Sequence, residues 1–520
     1  GTFYKIKVDK SGVFKITKKF LTDNGINISG INPKNFRIYG NGGTTLPEFN
    51  KDTKYAALQE NAIQVIGEED GVWNDDDYAL FYAQGPHGFN LYSSGYKGYN
   101  RNGRTETRND RSNNHINIYD DFAYYFINFD LGPGKRILTK DTALPETPPE
   151  TRFDDYKFIN EEKSNLLKLG RIWVGDPITK DLAVKFTKRS PARAEDEIYY
   201  RASVVAYKAQ NNNIKFNVNG QHDFTQTVPN NPDAVFLKYN NYSGTATNIT
   251  GNDITINIAP NTSANPNGIF YFDYAEVIYK EDLTFNDSQM NFRFYDWVEN
   301  TGSTYGFSLA NSSTAEQVWD VSDIANVSRK VNRSGNSAVF SAAYTADSPT
   351  FNNEFVAFKN SAAYAPTFVS KIENQDLSGL QNIDYLIITN RNFLGEAQRL
   401  ADYHSKNNGF STAVADVEKI YNEFSSGGKD ITAIRDFVSK LKNENGAALK
   451  YVLLLGDTSF DYKDKTSGND NIVPSYQSED SSNVTSTYVT DDYFVMTAPQ
   501  TNSFLISMLP DLPIGRLPAS

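Results

Sequence analysis

Cysteine is missing from all 520 residues. Its absence excludes disulfides, thiolate metal sites and a thiol nucleophile carried by these residues. Histidine is scarce. His87, His115, His222 and His404 are the whole complement, and their scatter fits no metal-ligand spacing. His404 falls on the apolar stripe of a helical repeat, so it is expected in a core. Basic charge is also short: 51 Lys and Arg stand against 63 Asp and Glu, a formal net charge of -12. That is the wrong sign for a nucleic-acid or anionic-membrane partner, which needs a basic patch to offset phosphate. No apolar run approaches the ~18 residues of a spanning helix. No GxxxxGK[ST] loop exists, and Gly40, Gly42 and Gly43, with no helical pattern behind them, read as a hairpin turn.

Aromatic residues are abundant, with 34 Phe and 32 Tyr, and hydrophobic and charged fractions of 39% and 22% are those of a soluble globular protein. The chain opens directly on a strand pattern, as a mature or trimmed product would. Tyr4, Ile6 and Val8 alternate with Lys5, Lys7 and Asp9, and the turn Asp9–Gly12 leads into a second strand. Further strands are expected at Asn35–Gly43, Ile198–Tyr207, Asn213–Gln221, Asp253–Pro260 and Ile269–Tyr279. Short strands between polar turns predict one or two β-sandwiches. Three prolines within Thr142–Glu150 mark a linker or a long surface loop. The expected domains are 1–150, β-rich; 151–370, a β-sandwich; and 371–520, an α/β unit.

The texture changes near Ile372. Ile383–Thr389 is an almost continuous apolar strand, and a helix pattern follows through Phe393, Ala397, Leu400 and Ala401. After a short strand at Thr412–Asp416, Asp430 caps a helix whose stripe is Ile431, Ile434, Phe437, Val438 and Leu441. Tyr451–Leu455 is the next strand. This βαβαβ order predicts a parallel sheet with right-handed crossovers. Ligands bind such sheets at the carboxyl ends of the strands, which makes Gly456 and Asp457 crevice-lining candidates. Asp457 either orients a catalytic group or cation, or bonds loop amides after the strand. The acidic loop Asp457–Asp470 either holds Ca²⁺ through carboxylates and carbonyls or is simply solvated; its spacing fits no EF-hand.

Several longer runs carry a resemblance. KIYNEFSSGGKDITAIRDFV (Lys419–Val438) stands with VWDVSD (Val318–Asp323), NQDL (Asn374–Leu377), YVLLLGDTSFDY (Tyr451–Tyr462), VPSYQS (Val473–Ser478) and PDLPIGRLPA (Pro510–Ala519). Together, and with the opening Tyr4–Thr17, they resemble the PorU-type sortases of the type IX secretion system of Bacteroidetes. The second half also resembles the gingipain family of cysteine peptidases. The resemblance implies a β-rich, sandwich-like amino-terminal region followed by the first part of a caspase-like α/β domain. It implies a location on the outer face of the outer membrane. The activity implied is removal of the C-terminal signal domain of secreted cargo and linkage of the new carboxyl end, through a cysteine thioester, to anionic lipopolysaccharide. An outer-membrane β-barrel of the PorV type and a surface adaptor of the PorZ type are the implied partners.

In that family the catalytic histidine and cysteine follow the IGRLPA segment. The expectation is therefore an amino-terminal part that is inactive by itself, with a β-rich half that docks the peptidase domain to a surface complex. Asp511 stands where the resemblance places an acidic partner for the histidine, and its plainer reading is a cap on the turn at Pro510 and Pro513. No metal or cofactor is implied. The rival readings are a gingipain-like secreted endopeptidase and a non-enzymatic adhesion or carbohydrate-binding module with a degenerate caspase-like domain.

Overall fold

The alternation at Tyr4, Ile6 and Val8 forms strand β1 (Phe3–Val8). The structure is a computed structural model that describes the chain except residues 51–54, 56, 90–113, 141–147, 232–235, 287, 295–303, 333–337, 344–353, 445, 447, 480 and 499–508. The proline-rich stretch therefore lies, up to residue 147, outside the described residues. Two sheets build the amino-terminal region. One has five strands, among them β1, β2 (Ala123–Asn128) and β3 (Thr367–Ile372); the other has three, Gly12–Thr17, Gln64–Ile66 and Tyr78–Ala83. Ile6, Val8 and Ile127 of the first share a core with Phe14, Ile16 and Phe81 of the second. Strand β3 spans residue 370 and pairs antiparallel with β1, from Phe3 opposite Ile372 to Lys7 opposite Thr367. The chain thus returns to its first sheet just before the α/β region. Among the described residues before 390, the six-residue α1 (Lys18–Asp23) is the one α-helix.

A second pair of sheets, of nine and four strands, makes the sandwich. In Leu182–Ala192, Val184 and Phe186 point inward while Lys185 and Thr187 point out, the period-two pattern of a half-buried strand. These residues meet Ile214, Phe216 and Ile256 of their own sheet and Tyr200, Val204 and Val277 of the larger one. The far face of the three-stranded sheet packs Val13, Leu80 and Tyr82 on Trp319, Val356 and Phe358, which joins the two β regions.

The α/β region has four parallel strands, β4 (Tyr385–Thr389), β5 (Thr412–Asp416), β6 (Tyr451–Leu455) and β7 (Ile514–Leu517), in the order β5-β4-β6-β7. The expected parallel pairing is observed. Alternation along the strands divides the helices between the faces. Ile387 and Leu455 meet Ala397 and Ala401 of α2 (Leu394–Asn408). Leu386, Ile388, Val452 and Leu454 meet Ile420 of α3 (Val417–Phe424) and Ile434, Phe437 and Val438 of α4 (Ile431–Asn443). The chain leaves β4 towards β5 and crosses back to β6, so the strand order reverses at β4 and opens a crevice at the carboxyl ends. His404 is half-buried rather than in the core. The last turn of α2 overhangs the start of β4, and the ring rests 4.7 Å from that of Tyr385 with Nδ1 3.0 Å from Asn408 Oδ1.

Candidate active site

Strand β6 ends at Gly456 because the chain must turn under a neighbouring loop. Gly456 has φ +136°, and a Cβ there would stand 2.4 Å from Ile472 Cγ2, so only glycine fits. Its N–H donates to Leu517 O at 2.9 Å, and Asp457 N donates to Ala519 O at 2.8 Å, which ties the end of β6 to the chain leaving β7. Asp457 O accepts from Ile472 N at 2.9 Å and Val473 N at 3.2 Å, folding the acidic loop back over the strand end. Gly456 is buried and Asp457 half-buried.

Arg516, on β7, gathers these loops. Nη1 donates to Gly456 O at 2.8 Å and Val473 O at 2.7 Å, and Nη2 to Ser475 Oγ at 2.9 Å. Nε and Nη2 grip Asp491 Oδ2 and Oδ1 at 2.9 and 2.7 Å, the planar fork matched to a carboxylate. Asp511 is exposed and committed elsewhere through Oδ2, which accepts from Thr497 N at 2.7 Å, Thr497 Oγ1 at 2.8 Å and Ala498 N at 2.9 Å. It holds the segment before β7 against residues 495–498, since its own N–H donates to Val495 O at 2.9 Å.

A cavity of about 120 Å³ opens at the carboxyl ends of β4 and β5, lined by Asn390, Glu418, Tyr421, Asp430 and Ile472 among others. Gly456 and Asp457, expected to line the crevice, are not among the residues that line this cavity, although Gly456 packs against Ile472, which is. One wall, Tyr119, comes from the amino-terminal region and meets Tyr462 edge-on, ring centroids 4.9 Å apart. Asp430 caps α4 as expected. Its Oδ1 accepts from Thr432 N at 2.8 Å and its Oδ2 from Leu46 N at 2.7 Å. Burial pushes this carboxyl up to about 7, against the two N–H groups, which favour the ionised form.

Two carboxylates of the acidic loop are engaged by the loop and by the turn before α4. Asp461 Oδ2 accepts from Thr466 N at 2.6 Å and Oγ1 at 2.8 Å, and Asp464 pairs with Lys429 at 3.2 Å. Among the described residues no three His, Cys, Asp or Glu side chains gather to hold a metal ion.

Sequence reasoning named Gly456, Asp457 and Asp511 and gave Gly515 and Arg516 a structural part, but missed Asp491 as the partner of Arg516, and Tyr119 with Glu418. Arg516 sits in a conspicuous run, IGR. Nothing near Asp491 or Tyr119 in the chain announces their partners, which the tertiary structure brings from elsewhere.

Residues 378–520 match the profile described as Peptidase family C25. No curated protein matches the chain. Among solved structures, the dimeric latent PorU from Porphyromonas gingivalis superposes with TM-score 0.81 at 22% identity, over 100% of this chain and 48% of that one. This chain thus spans about half the length of that protein. The CBM35 of Cellvibrio japonicus Abf62 (12% identity, 24% of this chain and 92% of that one, TM-score 0.16) and the globular domain of zebrafish complement 1qA (10%, 25% and 95%, TM-score 0.12) are too slight a likeness to bear on the fold. The chain therefore pairs a β-rich region with an α/β region that matches the profile of peptidase family C25 at residues 378–520, and the two together share the fold of about half of PorU.

Proposed function

We propose that this chain is the amino-terminal part of a PorU-type sortase. On this reading the parent protein cleaves the C-terminal signal domain from secreted cargo. It then joins the new carboxyl end to an amine of anionic lipopolysaccharide on the outer face of the outer membrane. The observation that carries the reading is the fold likeness to PorU along the entire chain, β-rich half included. The gingipain-like endopeptidase reading draws on the peptidase domain alone.

The chemistry assigns work to residues outside these 520, which hold no thiol. A cysteine thiolate attacks the scissile carbonyl and a histidine protonates the leaving amine, giving a thioester and the free signal domain. An acceptor amine then displaces the thiolate and leaves an amide. We place both groups on strands added beside β7, the edge of the described sheet, so that they face the crevice at the carboxyl ends. The loops braced by Arg516 would form its floor. A barrel of the PorV type and an adaptor of the PorZ type are the proposed partners.

The test is the full encoded protein with a cargo bearing its signal domain and a soluble amine acceptor, followed by mass spectrometry. Cleavage with the acceptor joined to the new carboxyl end, lost on replacing the cysteine, is expected. Cleavage that yields only the free acid at saturating acceptor would favour the endopeptidase. A full sequence without a later cysteine would favour the adhesion module.

A further inference from the structure

We propose that Arg171, a residue of the sandwich region, is a positioning residue for the floor of the crevice, acting through the loop 473–491 of the α/β region. Its catalytic consequence rests on the peptidase reading. The positioning itself rests on contacts within these 520 residues.

The loop is held at three levels. At its base Arg516 grips Val473 O, Ser475 Oγ and the Asp491 carboxylate, and Ser475 Oγ donates to Asp491 Oδ1 at 2.7 Å. In the middle, Tyr476–Gln477 pairs antiparallel with Val489–Thr490, Tyr476 opposite Thr490. This short ribbon leads directly into Asp491. At the tip the sandwich takes hold. Ile172 N donates to Ser481 Oγ at 2.9 Å and Leu237 N to Ser482 O at 2.7 Å. Phe236 forms an antiparallel bridge with Asn483, beside the edge strand Leu237–Ala246 of the nine-stranded sheet.

Arg171 reaches the ribbon itself. Its side chain is 7% exposed. Nε donates to Gln477 O at 2.7 Å, and the guanidinium carbon sits 4.6 Å from the centre of the Tyr476 ring. The neighbouring Gly170 N donates to Gln477 Oε1 at 3.3 Å. Nη1 pairs with Glu48 of the amino-terminal region. One planar group thus holds the ribbon by a carbonyl and by a ring face, which an ammonium cannot do together. Residues 473–478 are all buried, so a Gln477 carbonyl that loses this donor finds no solvent in its place. The ribbon then shifts, and Ser475 and Asp491 move with it against Arg516. Coupling of this kind is carried by contiguous bonded groups, here Arg171, Gln477, Thr490, Asp491 and Arg516.

Two measurements test this. Amide exchange in the 520-residue chain reads the positioning, and signal-domain cleavage by the full encoded protein reads its consequence. Arg171→Met should speed exchange several-fold in residues 488–491 and in β7 while Leu182–Ala192 keeps its protection. In the full protein kcat should fall about tenfold, the scale of a slight misplacement of reacting groups, with KM for the cargo changed less than about twofold. Arg171→Lys should regain part of the lost kcat. Ser481→Ala, which leaves Arg171 in place, should show the same pattern more weakly and serves if Arg171→Met does not fold. Arg193→Met, which removes an exposed pair with Asp282 elsewhere on the sandwich, should match the parent in both measurements. Faster exchange confined to residues 161–178 and 476–478, or a parental kcat in a folded Arg171 variant, would overturn the proposal and leave Arg171 a fastener of the interface. A parent protein that cleaves no cargo would sink the sortase reading instead, and exchange in 488–491 and β7 would still decide the positioning.

Discussion

At the scale of single residues, Arg516 shows how one side chain sets the shape of a crevice. Its side chain is 12% exposed, and its guanidinium meets Asp491, Ser475 and two backbone carbonyls drawn from both sides of the strand end. A lysine brings one point charge and no fork. Arg516→Lys keeps the charge but loses the fork, so it should cost about 2 kcal/mol, within the range for hydrogen bonds to a charged group, and should loosen residues 473–475. Urea unfolding and amide exchange measure both, and an unchanged midpoint would show that the carbonyls find water. Asp430 gives a pH dependence. Burial raises its folded pKa from 3.8 to about 7, so the folded state holds a proton that the unfolded state has lost. Stability from this group is greatest below about pH 4, falls as pH rises towards 7 and is level above. Asp430→Asn keeps an acceptor for one N–H and cannot ionise, so the variant should gain on the parent chain as pH rises from about 4 to 7 and keep that gain above. Parallel pH profiles in urea would reject the raised value.

At the scale of elements, the run KIYNEFSSGGKDITAIRDFV acquires a physical task. Its turn, between α3 and α4, docks on the amino-terminal β region. Asn41 N donates to Ser426 Oγ at 3.0 Å, Lys5 Nζ to Gly427 O at 2.7 Å and Lys429 N to Asp120 Oδ2 at 3.2 Å. Helix α4 then sends the buried Arg435 to the carbonyls of Pro47 and Glu48. Gly427 has φ +88°, and a Cβ there would lie 2.8 Å from Lys5 Cε and 2.9 Å from Phe126 Cζ. Gly427→Ala should destabilise by about 2 kcal/mol, from backbone strain and the displaced contacts. The loss should appear as faster amide exchange in β1 as well as in the turn. A change confined to the turn would mean that the docking is slack.

For the whole molecule, the core of the α/β region is not its own. Tyr119 is buried in it, and Leu46 and Ile118 pack against it, all from the first 120 residues. Loop stacking adds to this closure, with Trp173 and Phe460 rings 5.7 Å apart and Lys463 pairing with Asp121 at 2.7 Å. A β-rich half that only docked the peptidase domain to a surface complex would be removable. The shared core predicts otherwise. Residues 373–520 expressed alone should expose apolar surface, bind a hydrophobic dye and aggregate, and co-expression with 1–372 should restore a soluble pair. A soluble, monomeric 373–520 fragment would show that the interface is dispensable.

The sequence by itself determined the element types. Period-two alternation at Tyr4, Ile6 and Val8 and the apolar runs at β4 and β6 commit residues to faces through local geometry alone. The cap at Asp430 and the βαβαβ order likewise follow from nearest neighbours and the handedness of crossovers. The family signal was also legible, because it resides in contiguous runs. Tertiary structure alone decided where β3 pairs, that Asp511 reaches Thr497 and Ala498, that Arg516 meets Asp491, and that Tyr119 closes a cavity beside Glu418. Each of these joins segments separated along the chain, and the partner of a polar side chain depends on which segments packing brings within about 3 Å. Periodicity carries no record of that distance.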